Sequence, residues 1–467
     1  MSASTRSTLA VLASTLLLLG AAIWNRFPLT FWDTRAYLVH SVTLAPRLDR
    51  VIGYSLFIRA WSWTGSLWSV VAVQSGALAW LLWLVARLVL RRPDPFRFVV
   101  TVGLLAALSA LPWIAGQLMP DIFTPILVLA LFGLIVGAIR IRRGEQVLLA
   151  VTIAIAAAVH VTHAVFGVML IVVLMLTNWP NCRSRPSQLR SALLGLLAIG
   201  AGLGGMLGFN YSRNHRWELV GGGSAFLLAH LVESGAASRL LDAHCGVRDY
   251  ALCPYRASLP MTTDELLWRD RLPFHPFEQP EVTQRETHRL LLDSWREHPG
   301  QQLAVGFEYS LGALSRFGTG EGLDSLALPG LDSAVALVAP GDRPALAASR
   351  QQHDQVPVSR LRAIDTPVGW AFLLAALAVV IVALSRGGRW RADRSVQFLV
   401  TALLSVILYA ALCGNTSGIY DRYESRLVWL CGFGLWLAAE ARYRRQKRRA
   451  ERSEGTGDGR RETGDRR

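Results

Sequence analysis

The chain has 467 residues, 52% of them hydrophobic, a mean hydropathy of +0.34 and a formal net charge of +15. That balance lies outside the soluble globular class. The charge does not point to nucleic acid either. Of 48 Lys+Arg only Lys447 is a lysine, and the arginines punctuate the ends of alternate apolar blocks, the positive-inside pattern of a membrane protein.

A hydrocarbon core of about 30 Å takes about 20 helical residues. Residues 8–24 form the first apolar block, an uncleaved anchor, since no small-x-small cleavage site precedes a polar start. A loop over 25–66 follows, with a semi-apolar stretch, 51–63, expected to lie along the membrane interface. The second helix, 67–86, ends at the basic run 87–97. Helices three and four, 98–114 and 122–138, bracket the short turn Gln117-Leu118-Met119-Pro120-Asp121 and lead to Arg140, Arg142 and Arg143. Helices five and six, 147–159 and 165–176, bracket His160-Val161-Thr162-His163, and the next turn carries Arg183, Arg185 and Arg190. Helix seven, 191–209, opens into a long polar segment that ends near Asp365. Helix eight, 367–384, leads to Arg386, Arg389, Arg391 and Arg394; helix nine, 396–412, to the turn 413–424; helix ten, 427–439, to a basic tail.

Every even-numbered turn is short and arginine-rich, which predicts cytoplasmic termini and an outer polar segment. The segment 210–365 has 15 arginines against 19 acids, whereas the tail 441–467 has 11 Lys+Arg against 5 acids, in agreement with that orientation. The expected fold class is therefore all-α: a polytopic transmembrane bundle of about ten helices with a mainly helical outer domain. Its parts are a transmembrane module over 1–209, an outer domain over 210–365, transmembrane helices over 366–440, and a basic, disordered cytoplasmic tail over 441–467. The clusters at 318–322 and 339–344 are rich in Gly and Pro and are expected to be loops. Cys245 and Cys253 share the outer segment, where an oxidising compartment allows a disulfide; two free thiols are the alternative. Cys182, Cys413 and Cys431 suggest no chemistry, and no metal-type Cys/His spacing stands out.

Several outer turns carry charge beside aromatics. The first holds Trp32, Asp33, Arg35 and Tyr37, then Arg50 and Tyr54; the second Asp121; the third His160 and His163; the last Arg422 and Arg426. All fall on one membrane face in this topology.

Three of these features together resemble the GT-C superfamily of integral-membrane glycosyltransferases, which includes the protein O-mannosyltransferases and the aminoarabinose and lipopolysaccharide-modifying transferases. They are an acid just after helix one (Asp33), an Arg-x-x-Gly-Tyr-x-x-Phe stretch from Arg50 to Phe57, and a second acid after proline at a short turn (Asp121). The resemblance covers residues 7–180 well and the remainder loosely. The chain departs from it where Thr34 follows Asp33 in place of a second acid, and where Val51-Ile52 stand in place of a double proline. A lone carboxylate with scattered neighbours is a poor divalent-cation site, so no cofactor is expected, and a divalent cation stays open as an alternative without support.

The resemblance implies an inverting transfer of sugar from a polyprenyl-phosphate donor to an acceptor hydroxyl at the outer face. In that reading Asp33 is the base, and Asp121 orients the acceptor or an arginine. Arg35, Arg50, Arg422 and Arg426 meet the donor phosphate, since guanidinium matches phosphate oxygens bidentately. Tyr37, Tyr54 and Trp32 stack on sugar, and His160 and His163 supply a ligand or an acid/base pair. Plainer roles stand beside these: interfacial aromatics form belts in any membrane protein, outer arginines pair with lipid phosphate or a nearby Asp, and a helix-end His pair is commonly hydrogen-bonded. The expected partners are the lipid-linked donor, a glycan, lipid or protein acceptor, and membrane lipids, in the inner membrane of a bacterium. Two other functions compete. An O-antigen-type polymerase or ligase would depend on the large outer loop, including Arg248 and Arg256. A transporter or flippase of lipid-linked sugars would show mid-helix charges and internal repeats, of which the sequence has few and none obvious.

Overall fold

The computed structural model describes residues 2–45, 48–178, 186–269, 274–323 and 329–458. Among them all regular secondary structure is helical, apart from two isolated backbone bridges. Four helices are long and apolar enough to cross a membrane: Trp68–Leu90, Pro186–Asn214, Val358–Ser385 and Arg394–Thr416. Cys182, Arg183, Arg185 and the tail beyond Asp458 lie outside the described residues.

The first apolar block is two helices, α1 (Ala3–Leu18) and α2 (Gly20–Asn25), parted at Leu19. Two short helices, α3 (Thr34–Thr43) and α4 (Gly53–Trp61), precede α5 (Trp68–Leu90). Gly53 seats α4 directly on α9 (Arg143–Val159), because a Cβ there would lie 2.0 Å from the Ala158 carbonyl oxygen. The expected helix over 98–114 is broken. α6 (Pro95–Leu108) stops at Ser109, whose hydroxyl donates to the Leu105 carbonyl and accepts the Leu111 N–H; α7 (Leu111–Ala115) then restarts with Pro112, which has no N–H to continue the preceding turn.

α8 (Phe123–Ile135) is the axis of the bundle, with all of its 13 residues buried. An element hydrophobic all round is stable only when enclosed by others, and α5, α9 and α10 (Val161–Thr177) pack against it. α9 and α10 are parted by His160 alone. α11 (Pro186–Asn214) completes the first part of the bundle.

The polar segment divides in two. Helices α12 (Gly223–Glu233), α13 (Ala236–His244), α14 (Thr263–Trp268) and α15 (Pro280–Glu297) enclose a small core of their own around Leu228, Leu240, Leu252, Leu266 and Leu290, and Cys245 is disulfide-bonded to Cys253 at its edge. α16 (Pro299–Leu314) crosses to the bundle, where Asn415 donates to the Gly306 carbonyl and the Ser310 hydroxyl. By contrast, α17 (Leu331–Val338) and α18 (Arg343–Ala347) belong to the bundle's own core rather than to a separate outer domain ending at 365. Asp342 accepts the Leu67 N–H at 2.7 Å at the start of α5. Gln351 exchanges hydrogen bonds with the Thr30 backbone at 2.9 and 2.8 Å, and its N–H donates to Asn25 Oδ1.

α19 (Val358–Ser385) begins ahead of the expected residue 367 and runs through Pro367. α20 (Arg394–Thr416), the short α21 (Asp421–Ser425) and α22 (Trp429–Asp458) follow. The basic stretch expected to be disordered is thus helical as far as Asp458. Arg444 pairs with Glu440 one turn away at 2.7 Å, and Arg445 reaches Asp393, at the start of α20, at 2.7 Å.

Candidate functional site

The turns bearing Asp33 and Asp121 are joined through their backbones. The Leu29 N–H donates to the Gly116 carbonyl at 2.9 Å, and the Leu118 N–H donates to the Leu29 carbonyl at 2.8 Å. Thr34, fully buried, ties the same two turns: its hydroxyl accepts the Phe31 N–H and donates to the Leu118 carbonyl. Asp33 opens α3 without capping it, which leaves its carboxylate for other partners. Asp121 sits in the turn that leads into α8.

Each carboxylate meets an arginine. Arg50 Nη1 lies 2.8 Å from Asp33 Oδ1, and Arg50 Nη2 lies 2.7 Å from Asp49 Oδ2. The guanidinium also sits 5.4 Å above the Tyr37 ring. Asp33 is about a quarter exposed (26%), and its second oxygen takes no partner among the described residues. The other pair is enclosed: Arg426 Nη2 lies 2.7 Å from Asp121 Oδ2, with side chains 2% and 7% exposed. Arg426 also donates to the Tyr409 hydroxyl at 2.7 Å.

Arg422 differs from both. Its guanidinium lies 4.5 Å from the Phe31 ring centre and 5.3 Å from that of Tyr423, while Nε and Nη1 are closed off from solvent with no hydrogen-bond partner among the described residues. Burial works against its charge, but Tyr423, Asp121, Asp33 and Glu321 together hold it firmly protonated. It lines a cleft of about 370 Å³, open mouth included, together with Phe31, Trp113, Asp121, Glu321 and Ser425. Glu321 Oε2 accepts the Arg422 backbone N–H at 3.0 Å, and burial pushes its carboxyl up, with Arg422 opposing. Glu424, in the same turn as Arg422, is wholly buried with neither carboxyl oxygen hydrogen-bonded, and burial holds it well above the usual carboxylate range.

The remaining expected site residues lie elsewhere. Tyr54 is fully enclosed; its hydroxyl donates to Gln74, whose amide donates in turn to the Ala115 and Gln117 carbonyls, so it braces the second turn from behind. Tyr37 is 3% exposed and packs edge-on against Tyr54. Arg35 is exposed and lies against Gly330, away from the cleft. Trp32 is 60% exposed. His163 has both ring nitrogens occupied, by the Thr124 hydroxyl at 2.9 Å and the Ala156 carbonyl at 3.0 Å, and it pins α8, α9 and α10 together. His160 is hydrogen-bonded to Thr162 and stacks near His163 at 5.1 Å.

Sequence reasoning brought Asp33, Arg50, Asp121, Arg422 and Arg426 to one end of the bundle but left out Glu321. The available signal was an acid between glycines in the 318–322 cluster, an odd place for a merely soluble loop. Among the described residues no three His, Cys, Asp or Glu side chains gather as a metal site would require. No family model, no curated protein and no solved structure matches the chain.

Proposed function

We propose that the protein is a membrane glycosyltransferase of the GT-C type, moving a sugar with inversion from a polyprenyl-phosphate donor to an acceptor hydroxyl at the outer membrane face. The observation that carries this reading is Arg422, whose Nε and Nη1 are buried without a hydrogen-bond partner among the described residues, in a cleft that it lines with Asp121 and Glu321. Buried guanidinium N–H groups without acceptors are costly, and an anionic ligand relieves that cost. The reading includes about ten membrane passes with both termini in the cytoplasm, in a bacterial inner membrane. Four long apolar helices and the shorter apolar helices Pro95–Leu108, Pro120–Ile135 and Val161–Thr177 support it.

In the reaction the acceptor oxygen attacks the anomeric carbon as the bond from that carbon to the phosphate oxygen breaks. The bonding electrons leave with the lipid phosphate, and the acceptor proton passes to Asp33. Asp33 suits the role because it is the partly exposed carboxylate of the two and keeps one oxygen free. Arg422, in a poorly hydrated site, stabilises the charge that grows on the leaving phosphate, where preorganised donors act most strongly. Arg248, which a polymerase would need, is already engaged by Glu297 at 2.6 Å and Asp293 at 3.4 Å.

The test is Asp33→Asn. Transfer from polyprenyl-phosphate sugars in proteoliposomes is expected to fall by about 10²–10⁴-fold, the usual contribution of a general base, with abundance and melting temperature kept. Turnover near that of the unaltered protein would remove Asp33 from the mechanism.

A further inference from the structure

The cleft has a wall that the transfer chemistry leaves unused, the loop 318–323. It lies flat against the first turn. A Cβ at Gly322 would fall 1.9 Å from the Phe31 ring, and Gly320 and Gly322 hold φ of +110° and +70°, a region that favours glycine. This brings Glu321 onto the Arg422 backbone N–H at 3.0 Å while its other oxygen takes no partner among the described residues.

The charges around it are largely matched. Asp33 pairs with Arg50, Asp121 with Arg426, and Asp421 with Arg362 at 3.6 Å. Among the described residues Arg422 and Glu321 are left over in one cleft, without an ion pair between them. The charged groups facing Glu321 are Arg422, Arg426 and Asp421, and none of them is a histidine. An incoming anion on Arg422 therefore meets an ionised Glu321 as a like charge, and a neutral Glu321 as a hydrogen-bond donor.

We propose that Arg422 and the 318–323 loop form a binding site for one phosphodiester group, and that Glu321 takes up a proton when the site fills. The identity of that phosphodiester as the lipid-linked donor rests on the proposed function; an ordinary phospholipid headgroup offers the same chemistry. The sign follows from linkage. Burial already raises the Glu321 carboxyl in the empty site, and a bound anion raises it further, so affinity increases as pH falls between those two values and levels off below the lower one.

The experiment uses the full chain in maltoside micelles, which carry no phosphate. Binding of farnesyl methyl phosphate, a prenyl phosphodiester of fixed single charge, is followed by calorimetry from about pH 5 to about pH 8. The affinity is expected to rise by up to about tenfold per pH unit on acidification. Glu321→Gln should hold the low-pH affinity at every pH, Glu321→Asp should keep a slope, and Arg422→Gln should weaken binding by more than about tenfold throughout. A slope that survives in Glu321→Gln, or binding unaffected by Arg422→Gln, overturns the inference and leaves the donor reading standing. No binding of the prenyl probe at any pH overturns both. Equal binding of dihexanoylphosphatidylglycerol supports the site and assigns it to phospholipid instead of donor.

Discussion

Two carboxylate–arginine pairs of nearly equal length, 2.7 and 2.8 Å, neighbour Arg422, and Asp121 of the first lines its cleft. Asp121 and Arg426 are almost wholly enclosed, under the most buried helix of the bundle and beside Tyr409. Asp33 and Arg50 sit nearer the rim, and Arg50 shares its charge with Asp49. Identical chemistry thus serves different ends. In a low-dielectric surround the inner pair can lose neither partner, whereas at the rim water can replace Asp33 while Arg50 keeps Asp49.

The largest expected effect breaks the inner pair. Arg426→Ala strands the Asp121 carboxylate and should cost about 3–5 kcal/mol, read as a lowered melting temperature in detergent. Asp121→Leu combined with Arg426→Met should recover most of that loss without restoring transfer, because an apolar pair of similar volume removes the stranded charge. Next comes Gln351→Ala, which frees the Thr30 backbone groups from their partner at the point where the polar segment is laced to the first turn. A loss of about 1–3 kcal/mol is expected, checked in the same melting experiment. The smallest effect belongs to Asp33→Ala, which leaves Arg50 paired with Asp49. With Asp33 part-exposed, stability should change by no more than about 1 kcal/mol. A loss as large as that of Arg426→Ala would erase the distinction between the two pairs.

The sequence made one half of this contrast readable and hid the other. Acids and arginines at helix ends are visible because a charge beside an apolar block is conspicuous, so Asp33, Arg50, Asp121 and Arg426 could be gathered by counting turns. Burial could not be counted in that way. Tyr54 looks like any interfacial tyrosine until its hydroxyl is found on Gln74 inside the core. The break at Ser109 was concealed by an unbroken run of apolar residues, since a serine that caps its own helix leaves the hydropathy unchanged. Glu321 stood out only as an acid between glycines; its contact with Arg422 could not be read, because the partner is about a hundred positions away and no local pattern encodes it. The same holds for α17 and α18, whose apolar residues are too few to announce that they finish the bundle's core instead of a separate domain.

The cleft draws on positions 31, 121, 321 and 422, so every part of the chain must be present before it exists. During vectorial synthesis the first two turns can associate early, yet Arg422 emerges only after nine-tenths of the chain has been made. A nascent protein halted anywhere before that point holds the carboxylates that line the cleft, Asp121 and Glu321, without the arginine that faces them. Among the described residues that line the cleft, the single cation is thus the last charged group to be made.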